Sequence, residues 1–523
     1  MQKNSLCPRR PTGPAARCSK RSAWPCRGVP KVLAFRRPRV LRHRPRWNRE
    51  EIGNVASENG KAKDAVILGA GLAGLSAGWA LSRAGADIIT LEKDKQVGGL
   101  ARTVEDQGFR FDLGGHRFFT ENERVERLVR DVLDDEILEV VRSSKILLQG
   151  RYFDYPLNVQ NALLGFGPVT AARIILEYAA ERLKDRFSEA ESVSLEDWVV
   201  RHFGRTLFSI FFKDYSEKVW GIGCDRIARE WIEQRIQNLS LGRAVRETFS
   251  RSGGKAARTL TRRFLYPPLG IGKIAEGLKA DIEKRNPIIT GARIVRLHRR
   301  GARIEKVTAR CGDETRETWG PDVISSIPLN ALVRLLSPKA PDSVLDAADR
   351  LRYRDLVIVA VMIDRERVTD ETWIYFPGKE IPFGRLHEPT NWSARMAPPG
   401  KTLLVTERFC FRGDETWSAD DADLAESTAT CLADLGLIDK DEVIRHAVIR
   451  IPNAYPLFEV DYREHQETVS AYLETFDNLH LAGRGGLFRY YNMDQAMESG
   501  LAVAGKVINP MPALDLPSTG TDP

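Results

Sequence analysis

The sequence predicts an α/β protein, on three observations. An apolar run, AVIL, opens into a glycine-spaced turn and a long apolar helix. A second strand, DIITLE, follows and ends in an acidic residue. Some 390 residues later a third apolar strand, LHLA, runs into a glycine cluster and another helix. Strand–turn–helix–strand is the unit of a parallel sheet with crossover helices. A matching piece near the C-terminus means that this sheet is assembled from separated stretches of chain.

The first element starts at Ala65 and turns at Gly69, Gly71 and Gly74. Each glycine of a GxGxxG turn has its own task. Gly69 permits the tight turn, Gly71 lets backbone approach a pyrophosphate, and Gly74 lets helix and strand pack closely. The helix N-terminus then faces the phosphates. Glu92 lies 23 residues after Gly69, where a carboxylate bonds ribose hydroxyls and disfavours a 2′-phosphate. A Rossmann-like dinucleotide-binding domain is therefore expected.

Composition bounds the rest. At 523 residues the chain is long enough for two or three domains, and 42% apolar with 29% charged residues suits a globular protein. The net charge of +8 sits in a tail: residues 1–63 hold 17 Lys+Arg against 3 Asp+Glu, and the remainder 62 against 68. The body is mildly acidic, so no nucleic-acid partner is expected for it. The tail is rich in Arg and Pro without a helical or strand period, and is read as disordered. An extension without a function of its own is favoured; a transit peptide and an arm for nucleic acid or membrane stay open. Seven cysteines show no CxxC and no metal-ligand spacing, which suggests a reducing, cytoplasmic setting and no metal site.

The stretch after Glu92 reads KDKQVGGLARTVEDQGFRFDLGGHRF. Its VGGLART resembles the second motif of flavoproteins in the amine oxidase, protoporphyrinogen oxidase and UDP-galactopyranose mutase superfamily. The resemblance implies FAD, with Gly98, Gly99 and Arg102 along the pyrophosphate and toward the isoalloxazine. It implies that Gly114 and Gly115 bring backbone close to the ring and that His116 sits near its face. The mutases carry Pro where this chain has Gly115, and a second His where it has Phe119. Read from the residues alone, the stretch is also a strand and turn with a structural histidine.

Near the C-terminus the sequence reads LHLAGRGGLFRYYNMDQAMESG. It is similar to the superfamily segment that returns to the dinucleotide domain. That implies Gly483, Arg484 and a helix starting at Met493 on the flavin side. RYYNMD resembles a mutase motif, which makes Arg489 a diphosphate- or flavin-facing cation and Tyr490 and Tyr491 substrate contacts. Asn492 stands where the mutases have an acid. The stretches 266–282, 322–328, 212–231 and 386–402 also look like superfamily pieces, the last two like a subgroup found beside polysaccharide genes. Tyr215 and Trp220 are expected to wall the pocket.

The implied division is a basic tail at 1–63, FAD-binding pieces at 64–150, 266–330 and 456–510, a helical insertion with substrate-domain parts at 151–265, a mixed-sheet substrate domain at 331–455 and a short tail at 511–523. Helix 168–186 is amphipathic with a basic end; core packing is favoured over contact with a membrane surface. The sequence shows no metal cluster, GxSxG or Walker loop, so the flavin itself is the expected catalytic group, and the resemblance makes His116, Arg102 and Arg489 the residues that assist it. The expected function is an FAD-dependent oxidoreductase-superfamily enzyme in saccharide or glycoconjugate metabolism, acting on a small molecule such as a nucleotide sugar. Two alternatives accompany it. One is a mutase-like isomerase in which reduced flavin N5 attacks an anomeric carbon, and the other is a non-catalytic FAD-binding protein.

Overall fold

The computed structural model describes residues 62–155, 167–185, 192–236 and 263–509. Most of the basic tail and the whole 511–523 tail lie outside the described residues. The first unit is a five-stranded parallel sheet in the order Leu479–Leu481, Asp322–Ser325, Ala65–Leu68, Ile88–Leu91, Ile288–Ile289. Its central strand, AVIL, is completely buried, because both faces of a parallel sheet are covered by crossover helices. Helix Leu72–Arg83 leaves the glycine turn and packs against helices Gly272–Glu283 and Met493–Ile508. Contact with the last is close enough that a Cβ on Gly500 would lie 2.0 Å from the Ala73 carbonyl oxygen. The α/β class and assembly from separated segments are as the sequence predicts.

The second unit is a seven-stranded mixed sheet. Its order is Val443–Pro456, Tyr353–Ile363, Thr402–Cys410, Arg385–His387, Trp373–Tyr375, Ser144–Leu148, Arg151–Asp154. Only the step from Trp373–Tyr375 to Ser144–Leu148 is parallel. Strand alternation decides what each face carries. Ile374, Leu386, Leu404 and Val357 pack one way into an apolar cluster. Tyr375, Arg385 and Glu407 stand in one row across three strands on the other face.

Two sequence expectations change. The helix read over 194–213 stops at Phe203, because Gly204 takes a φ of +87° at its C-cap; the chain restarts and runs as a π-turn over Phe208–Lys213. Helix Pro168–Asp185 was expected to pack in the core, yet Val169, Leu176 and Leu183 are 81%, 70% and 61% exposed. Among the described residues no helix is long and apolar enough to cross a membrane.

Candidate flavin site

Two glycines of the first turn are demanded by the protein itself. A Cβ on Gly69, whose φ is +95°, would fall 2.6 Å from Ser326 Oγ, and one on Gly74 would fall 2.0 Å from the Gly69 carbonyl oxygen. Gly71 is different: the nearest atom to its added Cβ is Gly99 Cα at 4.0 Å. Nothing in this chain's own packing asks for glycine at 71, so the bare backbone there suits a group that must come close. Gly98, at φ +108°, donates its N–H to the Ala70 carbonyl at 2.7 Å, and Gly99 lies against Gly71. The two glycine turns form one cradle that fits a pyrophosphate.

Glu92 is buried at the end of its strand. Its Oε2 accepts from the Ala70 N–H at 2.7 Å and its Oε1 from the Asp94 N–H at 2.9 Å. Burial raises its pKa and these two donors oppose the rise. It pins the glycine turn and keeps a second lone pair on each oxygen for a ribose. Arg102 corrects the sequence reading: its guanidinium pairs with Asp94 at 3.1 Å, at this nucleotide end, rather than reaching toward the ring end. Its carbonyl accepts from the Leu113 N–H at 3.2 Å.

The strand Phe109–Asp112 then delivers Gly114, Gly115 and His116 to the polar row of the mixed sheet. Gly115 donates its N–H to Glu407 Oε1 at 3.0 Å. The reason for glycine at 115 differs from the expected close approach to a ring, since a Cβ there would lie 2.3 Å from Trp373 Nε1. Gly114, at φ +111°, is required by its backbone conformation. His116 Nδ1 lies 3.1 Å from the Gly114 carbonyl oxygen, which selects the Nδ1–H tautomer and leaves Nε2 as an acceptor. Burial, with Arg484 and Arg385 nearby, lowers its pKa to about 4, so the ring is neutral at pH 7.

Glu407 is fully buried and its other oxygen accepts from Arg385 Nη1 at 3.1 Å. Arg385 also donates from Nε to the Tyr215 hydroxyl at 3.1 Å and reaches Tyr455 at 3.5 Å. Burial works against its charge, but Glu407, Tyr215 and Tyr455 outweigh it and hold its pKa well above the ordinary value. Tyr490 stacks on Tyr455 with centroids 5.8 Å apart, and Arg484 lies over both rings. Arg484 is fixed by the carbonyls of Tyr491 at 2.8 Å and Ala454 at 3.1 Å. On the far side of Arg385, Tyr215 packs edge-on against Tyr375, which contacts Tyr155. Two guanidinium groups, one carboxylate and a band of tyrosines thus surround the His116 turn.

Of the residues predicted from sequence, Tyr215, Tyr490, Arg484 and His116 meet here. Trp220 does not line the space: it is 1% exposed and packs behind the tyrosines against Trp231. Arg489 is exposed and its charged neighbourhood is that of Tyr462, so the inner cations are Arg385 and Arg484 instead. Tyr491 contributes its carbonyl to Arg484. Gly483, at φ +79°, is required because a Cβ would meet Ala73 at 2.8 Å. Met493 begins the final helix behind an Asn492–Gln495 capping box, with Asp494 in its first turn. Sequence reasoning missed Arg385, Glu407, Tyr375 and Tyr455. One signal was legible: TLLVTERFC carries Glu407 in a strand with the apolar run LLV, and a buried carboxylate there needs a cation.

Comparison with known proteins gives the family and the fold. A family model described as flavin containing amine oxidoreductase matches residues 72–508. The chain belongs to that family. FAD is its cofactor, as the glycine cradle fits. Curated relatives are distant or short. The chain covers 8% of an inactive all-trans-retinol 13,14-reductase of Danio rerio, 45% identical over 51 residues that make up 10% of this chain. It covers 41% of a probable UDP-galactopyranose mutase of Klebsiella pneumoniae, 27% identical over 31% of this chain. It covers 94% of protoporphyrinogen oxidase 2 of Arabidopsis thaliana, 23% identical over 86% of this chain. A crystal structure of reduced UDP-galactopyranose mutase superposes with a TM-score of 0.75 at 22% identity, covering 86% of this chain and 96% of that one. A putative protoporphyrinogen oxidase from Exiguobacterium sp. 255-15 superposes at 0.65 and 17% identity, over 86% of this chain and 99% of that one. At these identities the superpositions show the fold.

Proposed function

We propose that the protein is an FAD-dependent enzyme of saccharide or glycoconjugate metabolism that binds a nucleotide sugar at the Arg385–Glu407–Arg484 cluster. The observation that carries this reading is a pair of guanidinium groups near the His116 turn, Arg385 held by the buried Glu407 and Arg484 held by backbone carbonyls over Tyr455 and Tyr490. The surplus positive charge suits a diphosphate, which planar guanidinium groups grip through paired N–H donors. Tyr215, Tyr375, Tyr455 and Tyr490 offer flat faces and hydroxyls that orient a sugar or base and exclude water. FAD, when bound, supplies a hydride acceptor or, once reduced, a nucleophilic nitrogen.

One feature favours isomerisation, like that named for the mutase neighbour, over oxidation of a sugar alcohol. Oxidising an alcohol needs a base for the hydroxyl proton. His116, with its pKa lowered to about 4, is a weak base, and burial raises the pKa of Tyr215 and Tyr455. Departure of a nucleotide diphosphate from an anomeric carbon needs a cation on the leaving group instead, which Arg385 and Arg484 provide.

The test is product analysis. FAD-saturated protein is incubated with UDP-sugars in oxidised and dithionite-reduced form and the sugars are separated. Ring isomers formed by the reduced form alone support the isomerase. Consumption of dioxygen with an oxidised sugar supports the oxidoreductase. Inertness toward every nucleotide sugar, with flavin reduction by an uncharged substrate, overturns the proposal.

A further inference from the structure

The turn 376–384 joins the strand that carries Tyr375 to the strand that carries Arg385, and these two residues stand opposite each other in that pairing. Its sequence, FPGKEIPFG, holds two prolines, which remove two N–H donors from the backbone. Phe376 still donates to the Gly384 carbonyl at 2.9 Å and Ile381 to the Gly378 carbonyl at 3.3 Å. The carbonyls of the turn converge on a side chain from outside it. Lys218 Nζ donates to the carbonyls of Phe376 at 2.7 Å, Ile381 at 3.0 Å, Phe383 at 3.4 Å and Gly378. An ammonium has three N–H groups, so four acceptors use all of them. The lysine stem passes Gly384, where an added Cβ would lie 3.5 Å from Lys218 Cδ and 2.8 Å from the Phe409 ring. Burial lowers the Lys218 pKa to about 8, against Glu380 on the turn, Cys431 on helix Asp421–Asp434 and Asp214 on its own helix. The group is an ammonium at pH 7.

Lys218 lies on helix Asp214–Trp220, about one turn after Tyr215. The Tyr215 hydroxyl accepts from Arg385, and its ring packs edge-on against Tyr375 at 5.8 Å. Helix and turn each have an anchor of their own. Arg354 Nε donates to the Val219 carbonyl at 2.9 Å at the end of the helix. Phe376 and Phe383 are completely buried beneath the turn, with centroids 5.0 Å apart. Among the described residues the polar ties between the two are the Lys218 bonds and pairs of Lys379 with Glu217 at 3.4 Å and Asp214 at 3.7 Å. Lys379 is exposed, and pairs of that kind contribute little. We propose that Lys218 is a positioning residue of the candidate site, an ammonium clamp that sets the 376–384 turn against the helix and so holds Tyr375 and Arg385 beside Tyr215. Without the clamp the carbonyls must turn to water for donors, which opens the turn. Reading the effect as nucleotide-sugar affinity rests on the function proposed above.

The test uses the full chain with FAD. Lys218→Met keeps a long stem and removes the three N–H groups; Lys218→Ala removes the stem as well. In both, hydrogen exchange is expected to rise at least tenfold in peptides covering 373–387, with flavin content and exchange in the five-stranded sheet unchanged. UDP, titrated by calorimetry, should bind at least tenfold more weakly. n-Propylammonium supplies the atoms that Lys218→Ala lacks. It should restore protection and UDP affinity in that variant and leave the wild type unaffected, whereas uncharged n-propanol should restore neither. Unchanged exchange at 373–387 overturns the proposal. So does raised exchange with UDP affinity intact, or a recovery that n-propanol matches. Loss of flavin with exchange raised throughout the chain also overturns it, since Lys218 would then support the whole fold. A wild type indifferent to UDP refutes the nucleotide-sugar reading instead, and the clamp is then upheld by raised exchange at 373–387 that n-propylammonium reverses.

Discussion

His387 offers a quantitative test of the packing around the site. Its ring is completely buried and stacks on Trp392 at 4.8 Å and 12°. Neither ring nitrogen has a hydrogen-bond partner. Burial, then the neighbouring His116 and Arg385, lowers its pKa from 6.5 to about 3. The unfolded chain therefore binds a proton below pH 6.5 that the folded chain refuses until about pH 3, and stability falls as pH falls through that window. At pH 5 the gap is about 1.5 pH units, worth on the order of 2 kcal/mol. His387→Leu removes the proton linkage and keeps an apolar side chain against Trp392. The variant is expected to be close to wild type at pH 7.5 and more stable by about 2 kcal/mol at pH 5. Urea unfolding of both proteins, saturated with FAD and followed by tryptophan fluorescence, measures the difference at each pH. Parallel loss of stability in the two proteins between pH 7.5 and 5 would refute the reasoning.

Further expectations concern cofactor and ligand. Gly71→Val should lose flavin while retaining its circular dichroism, because the cradle there is open, whereas Gly74→Ala should fail to fold against the Gly69 carbonyl; flavin retained in the valine variant would count against the cradle. Arg385→Met strands the buried Glu407 and should destabilise by about 3–5 kcal/mol. The double change with Glu407→Gln should recover most of that stability without recovering nucleotide-sugar binding, as calorimetry and denaturation can show. Arg484→Ala should weaken that binding at least tenfold and Arg489→Ala less than twofold, since only Arg484 lies over the tyrosines; equal effects in a ligand titration would undo the assignment.

The nucleotide end was legible because its constraints are local. A turn, a close approach and a helix start write themselves as glycines at fixed spacing, and Glu92 follows at the end of the next strand. The ring end was only half legible. His116, Arg484 and Tyr490 sit in recognisable stretches, but Arg385 and Glu407 meet through strand register between residues 22 apart, with no short motif to announce it. The same limit explains Arg489. RYYNMD marks the right turn of chain, yet the turn points Arg489 outward, while Arg484, five residues earlier, is drawn inward by the carbonyls of Tyr491 and Ala454. The exposed side of helix Pro168–Asp185 was misjudged because amphipathic spacing does not say what covers each side.

The central claim, an FAD enzyme whose ring-end pocket takes a nucleotide sugar, is tested most directly by the flavin's own absorbance. The FAD-loaded protein is titrated with UDP-galactose, with UDP and with galactose, in oxidised and dithionite-reduced states. A saturable spectral change with UDP-galactose and UDP, absent with galactose and lost in Arg484→Ala, is the expected result. A flavin spectrum indifferent to all three ligands in both states would contradict the claim.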